Sequence, residues 1–153
     1  MTLYTSARYN GDGSEYRGCY GVSDQLLYDF HRRRMEILSE AGADMMLIET
    51  QPSLREAIIA AEICEDIGID YWISFSCRDE RHINEGDHIR ECARTLAEGF
   101  PHLRMIGVNC TRPEYIWNLI RILRGAIELP VGVYPNSGVL VEISSNRPVS
   151  FFA

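Results

Sequence analysis

Residues 105–115 read MIGVNCTRPEY, an apolar run that ends in Asn109 and Cys110 and then enters a proline-bearing helix start. A cysteine at the tip of a buried strand is either a small packed hydrophobe or a sulfur ligand. A structural zinc site would bring paired ligands such as C-x-x-C, and the sequence has none. Three further apolar runs also end in polar groups: Glu49, Ser76–Cys77, and Asn136–Ser137. The carboxylate of Glu49 needs a partner there, such as a nearby arginine. Asn136 and Ser137 either shape a site or make a plain turn after Pro135. Adjacent strand ends lie ~5 Å apart, so Cys77 and Cys110 could also approach as a two-thiolate pair.

The elements that would hold these groups follow from pattern. Ser23 is an N-cap for a helix whose apolar residues Leu27, Phe30, Ile37, Leu38 and Ala41 keep roughly helical spacing, with Gly42 as its stop. MMLIE is too short for a helix and reads as a buried strand. Ser53 and Glu56 form a capping box for the next helix, which Gly68 ends. YWISFS is a strand, CRDERHINEGD a long charged loop, HIRECARTLAEG a helix and LRMIGVN a third strand. Thr111 and Glu114 read as another capping box, with Pro113 in the first turn, and PVGVYP as a fourth strand. Strand starts near 45, 71, 104 and 131 repeat at βα spacing, so about four parallel strands with helical crossovers are expected. None of them is followed by the glycine-rich turn of a doubly wound sheet. Polar groups spread over several strand ends point instead to a partial (β/α)8 barrel, a TIM-barrel fragment.

Bulk properties narrow the chemistry. The chain has 153 residues, 46% of them hydrophobic and 24% charged, which fits one ordinary globular domain over 1–153. A net charge of −7 argues against a nucleic-acid surface. All 15 basic residues are arginines, which excludes Schiff-base chemistry and a P-loop lysine. Five irregularly spaced cysteines and no signal peptide fit a reducing, cytoplasmic setting. No apolar run approaches the roughly 20 residues of a membrane helix. Cys19, Cys64 and Cys92 need no chemistry. His31 heads an HRRR face that reads as solvated, as do His82 and His88.

Five motifs then occur in order: DGSEYRG (12–18), ET-x-PS (49–53), WISFSC (72–77), IGVNCT (106–111) and VYPNSG (133–138). Together they resemble the homocysteine S-methyltransferases, zinc-dependent barrel enzymes, over about residues 10–138. The resemblance implies methyl transfer to homocysteine, giving methionine. S-methylmethionine or S-adenosylmethionine is the implied sulfonium donor, because DGSEYRG and VYPNSG resemble that branch more than the betaine-using one.

The resemblance further implies that Cys110 is a zinc ligand with Asn109 beside it, and that Glu49 grips the substrate amino group. Asn136 and Ser137 would shape the site, and Glu15 and Tyr16 would line its entrance. Two further family ligands, a Gly-Gly-Cys-Cys pair after the eighth strand, have no counterpart here, and residues 139–153 match nothing expected. The first two βα units are also without counterpart. A truncated or frameshifted barrel with one zinc ligand is expected to be inactive alone. It should self-associate or bind a complementary fragment through its open edges.

Overall fold

The computed structural model describes residues 16–136 and the backbone of residues 2–6. The elements are β1 (Thr2–Ser6), α1 (Asp24–Glu40), β2 (Met45–Gln51), α2 (Leu54–Ile67), β3 (Tyr71–Phe75), α3 (Ile89–Gly99), β4 (Leu103–Asn109), α4 (Pro113–Arg124) and β5 (Val131–Tyr134). All strand pairings are parallel, in the order β1-β2-β3-β4-β5. This is a partial (β/α)8 barrel. The four expected strands form, and Thr2–Ser6 joins them as a fifth through its pairing with Met45–Glu49. Among the described residues no helix is long and apolar enough to cross a membrane.

Local chemistry sets the helix ends. The Ser23 hydroxyl accepts the Leu26 N–H, and Ser53 accepts that of Glu56. Gly68 ends α2 at φ +75°, a left-handed conformation that glycine takes without steric cost. Several details differ from the sequence expectation. In α1 the buried stripe is Leu27, His31 and Met35, spaced i, i+4, i+8, while Ile37 is 47% exposed. His31 is therefore not solvated: it is fully buried, and its Nε2 lies 2.8 Å from Glu56 Oε1. The Glu56 carboxylate turns to His31 and to the Tyr20 hydroxyl, at 2.8 Å, because α1 packs directly on α2.

Thr111 likewise does not cap α4. Its hydroxyl accepts the Cys77 N–H and donates to the Asn109 carbonyl, leaving Arg112 as an N-cap without a side-chain bond. His82 pairs with Asp79 and His88 caps α3, so neither ring is simply solvated.

The core fills the space between the helices and one face of the sheet. Met46, Ile48, Ile73, Phe75, Ile106 and Val108 meet Ala57, Ala60, Ile63, Leu96 and Leu119 there. Burying such side chains stabilises the fold by about 1.5–3 kcal/mol each. The opposite, inner face carries register-matched rows: Leu47–Trp72–Met105, then Ser74–Gly107–Gly132, then Asn109–Tyr134. The glycine row is a space requirement. A Cβ on Gly107 would lie 2.6 Å from the Gly132 carbonyl oxygen, and one on Gly132 would lie 3.0 Å from the Trp72 ring. Trp72 thus lies across the two glycines, with Tyr134 edge-on to it at 5.9 Å.

Candidate active site at the strand ends

Parallel strands deliver their C-terminal residues to one rim, and β2, β3, β4 and β5 do so here with Glu49, Ser74, Asn109 and Tyr134. Asn109 is buried at the end of β4 and ties three strands together. Its Oδ1 accepts the Thr50 N–H and the Ser74 hydroxyl, both at 2.9 Å. Its Nδ2 donates to Thr50 Oγ1 at 2.7 Å and reaches Cys110 Sγ at 3.4 Å. Thr50 Oγ1 also lies 3.5 Å from Cys110 Sγ, a contact in which either the hydroxyl or the thiol can donate. The Cys110 sulfur therefore sits within reach of the Asn109 amide and the Thr50 hydroxyl.

Backbone conformation makes this possible. The pairing of β2 with β3 shifts register between Ile48 and Gln51, a β-bulge that holds Glu49 and Thr50. Thr50 has φ +58° and Cys110 φ +46°, both in the left-handed region. A β-branched residue there is strained by about 1–3 kcal/mol. The hydrogen bonds from Asn109 offset that strain and turn the two residues toward each other.

Glu49 is half-buried, and its Oε2 accepts the Tyr134 hydroxyl at 3.1 Å. Burial pushes the Tyr134 phenol up; a Ser74 hydrogen bond pulls it down, and the Glu49 carboxylate and nearby Cys110 push it up further. Tyr134 thus stays protonated and donates, linking the carboxylate to the sulfur side of the rim.

Of the residues singled out from sequence, Glu49, Asn109 and Cys110 converge at this rim. Asn136 follows β5, exposed, with its backbone N–H on the Thr111 carbonyl at 3.1 Å. Ser137, Glu15 and the 139–153 tail lie outside the described residues, and Tyr16 is exposed. Cys77 does not pair with Cys110. It is buried in the core near Cys92, and burial pushes its thiol up. Thr50, Ser74 and Tyr134 were missed, since nothing local marks a bulge or a side chain shared across strands.

Catalytic zinc sites take three protein ligands and leave one position open. Among the described residues, no group of three or more metal-ligating side chains forms. Every cysteine and histidine of the sequence is described. Cys64, Cys77 and Cys92 are buried in the core, and burial pushes Cys64 and Cys92 up to about 12. Cys19 is exposed, with its backbone N–H on Glu85. Cys110 can be one ligand, but the described residues do not make a zinc site.

Residues 3–149 match the family model for homocysteine S-methyltransferase. The chain is 46% identical over 138 residues to homocysteine S-methyltransferase 3 of Arabidopsis thaliana, covering 88% of this chain and 40% of that protein. It is 44% identical to homocysteine S-methyltransferase YbgG of Bacillus subtilis (strain 168), covering 85% and 41%. Selenocysteine methyltransferase of Astragalus bisulcatus is 37% identical over 85% of the chain. The crystal structure of the homocysteine methyltransferase MmuM from Escherichia coli, metallated form, superposes with a TM-score of 0.80 at 38% identity, covering 87% of this chain and 48% of that one. The chain thus spans well under two thirds of these relatives' length. On sequence and on structure alike, it belongs to the homocysteine S-methyltransferase family.

Proposed function

We propose that this chain carries the amino-acid-binding part of a homocysteine S-methyltransferase. In this reading the Glu49 carboxylate, held by the Tyr134 hydroxyl, takes the substrate ammonium group, while Asn109 and Thr50 fix the Cys110 sulfur at the same rim. The reaction is methyl transfer from a sulfonium donor, S-methylmethionine or S-adenosylmethionine, to homocysteine. The homocysteine thiolate attacks the methyl carbon; a new C–S bond forms as the donor C–S bond breaks, giving methionine and a neutral thioether. Zinc held by three protein ligands would keep the acceptor thiol deprotonated. Cys110 supplies one such ligand, so this chain by itself binds substrate without turning it over.

The convergence of Cys110, Asn109, Thr50, Tyr134 and Glu49 on one rim carries this reading. Two measurements test it. Methionine formation with zinc, L-homocysteine and S-methylmethionine should be absent for the pure chain, and turnover would overturn the half-site reading. Methionine should protect Cys110 from iodoacetamide, and Glu49→Ala should abolish the protection. Unprotected labelling in the unmodified chain would remove the substrate site altogether.

A second reading has its own observation. Among the described residues β1 and β5 pair on one side only, and Val133 and Tyr134 stand 38% and 37% exposed. Such edges invite a complementary chain or a second copy. A stable monomer in sizing experiments would count against it.

A further inference from the structure

We propose that the groove between α3 and α4 binds a small polyanion of the phosphate or polycarboxylate class, separate from the strand-end site. The groove has a volume of about 370 Å³ and is lined by Arg81, Arg90 and Arg121 together with Glu80, His88 and Asn118. That volume lies at the low end of small-molecule sites.

One wall is the loop from β3 to α3. It closes on itself through the antiparallel bridge between His82 and His88 and through the Ile89 N–H on the Arg81 carbonyl at 2.8 Å. This brings Arg81 beside the first turn of α3, which bears Arg90. Arg121 comes from α4 on the other wall. The two walls are tied by Asn118, whose Nδ2 donates to Glu80 Oε2 at 2.7 Å.

The charge lining this groove is unbalanced. Among the described residues Arg32, Arg55 and Arg104 have carboxylate partners, whereas none of the three groove arginines forms an ion pair. Only Glu80 opposes them in the lining, and it is engaged by Asn118. On a chain of net charge −7, three unpaired guanidinium groups facing one concavity form a local positive field.

The amides of Ile89, Arg90, Glu91 and Cys92 are already taken by Arg81 and His88. The ligand contacts must therefore come from the guanidinium forks, which suit the paired oxygens of phosphate and carboxylate groups. Arginines on two walls favour a ligand with more than one anionic group.

Isothermal titration calorimetry of the 153-residue chain at low ionic strength tests this, with pyrophosphate and citrate as probes. Saturable one-to-one binding of either is expected, and which one binds identifies the class. Arg90→Ala and Arg121→Gln should each weaken it about tenfold or more, the loss of a charge-assisted hydrogen bond. Arg124→Ala, on the same helix but outside the groove, should leave it unchanged. If circular dichroism shows that Arg121→Gln is unfolded, Arg90→Ala decides alone. Absent binding, equal weakening by Arg124→Ala, or displacement of the probe by methionine would each overturn the proposal. Displacement would place the anion in the strand-end site instead.

Discussion

Asn109 grips Thr50 with both ends of its amide, accepting the Thr50 N–H at 2.9 Å and donating to the Thr50 hydroxyl at 2.7 Å. One side chain thereby replaces the ladder bonds that the bulge in β2 gives up, and the same amide reaches the Cys110 sulfur. Structure and site chemistry share a residue here.

Asn109→Ala should consequently destabilise the fold, by about 2–4 kcal/mol, because the buried Thr50 N–H and Ser74 hydroxyl lose their acceptor at ~1–3 kcal/mol each. Urea unfolding monitored by circular dichroism measures this. A change under about 0.5 kcal/mol, the scale of an ordinary surface substitution, would show that water takes over the lost bonds and that the clamp is not structural.

Gly107→Ala should cost more than Gly132→Ala. The added carbon on Gly107 meets backbone oxygen at 2.6 Å, which cannot move without parting β4 from β5. On Gly132 it meets the Met105 sulfur at 2.7 Å and the edge of Trp72 at 3.0 Å, and side chains can swing aside. Overpacking of this kind costs about 1–3 kcal/mol. Thermal melts of the two variants side by side give the order, and a reversed order would mean that the inner face is looser than the packing shows.

The acid limb of stability should depend on Glu65. Burial pushes its carboxyl up, but hydrogen bonds from the His102 ring, the His102 N–H and the Tyr71 hydroxyl outweigh that and hold it below the usual carboxylate range. A carboxyl lowered on folding contributes stability above its unfolded value, ~4.3. That contribution is lost as pH falls through the lower folded value. Stability should therefore drop below about pH 4, and Glu65→Gln should flatten that drop. An acid limb of equal steepness in the variant would exclude Glu65 as its source.

What could be read from sequence was what is decided locally. Ser23, Ser53 and Gly68 mark helix ends because caps act within one turn. Glu49, Asn109 and Cys110 were legible as strand-end groups because parallel strands put those ends together. Thr2–Ser6 holds the strand formers Thr2, Tyr4 and Thr5 but is short and lacks an apolar run, and its pairing with β2 fixes it. The burial of His31 was in fact written at Leu27, His31 and Met35, but the arginines after it masked the stripe. Thr111 fits a capping box locally, yet the Cys77 N–H from another strand captures it. The left-handed Thr50 had no signal at all, because a bulge is settled by the register of two strands.

The Trp72 indole, spread over Gly107 and Gly132, gives the chain an intrinsic fluorescent gauge. The chain has two tryptophans, and the other, Trp117, is 71% exposed, so its emission should be that of a solvated ring. Subtracting its contribution with Trp117→Phe leaves a single emitter on the concave surface. Its colour then reports, without any attached dye, when an occupant drives solvent from the hollow of the sheet.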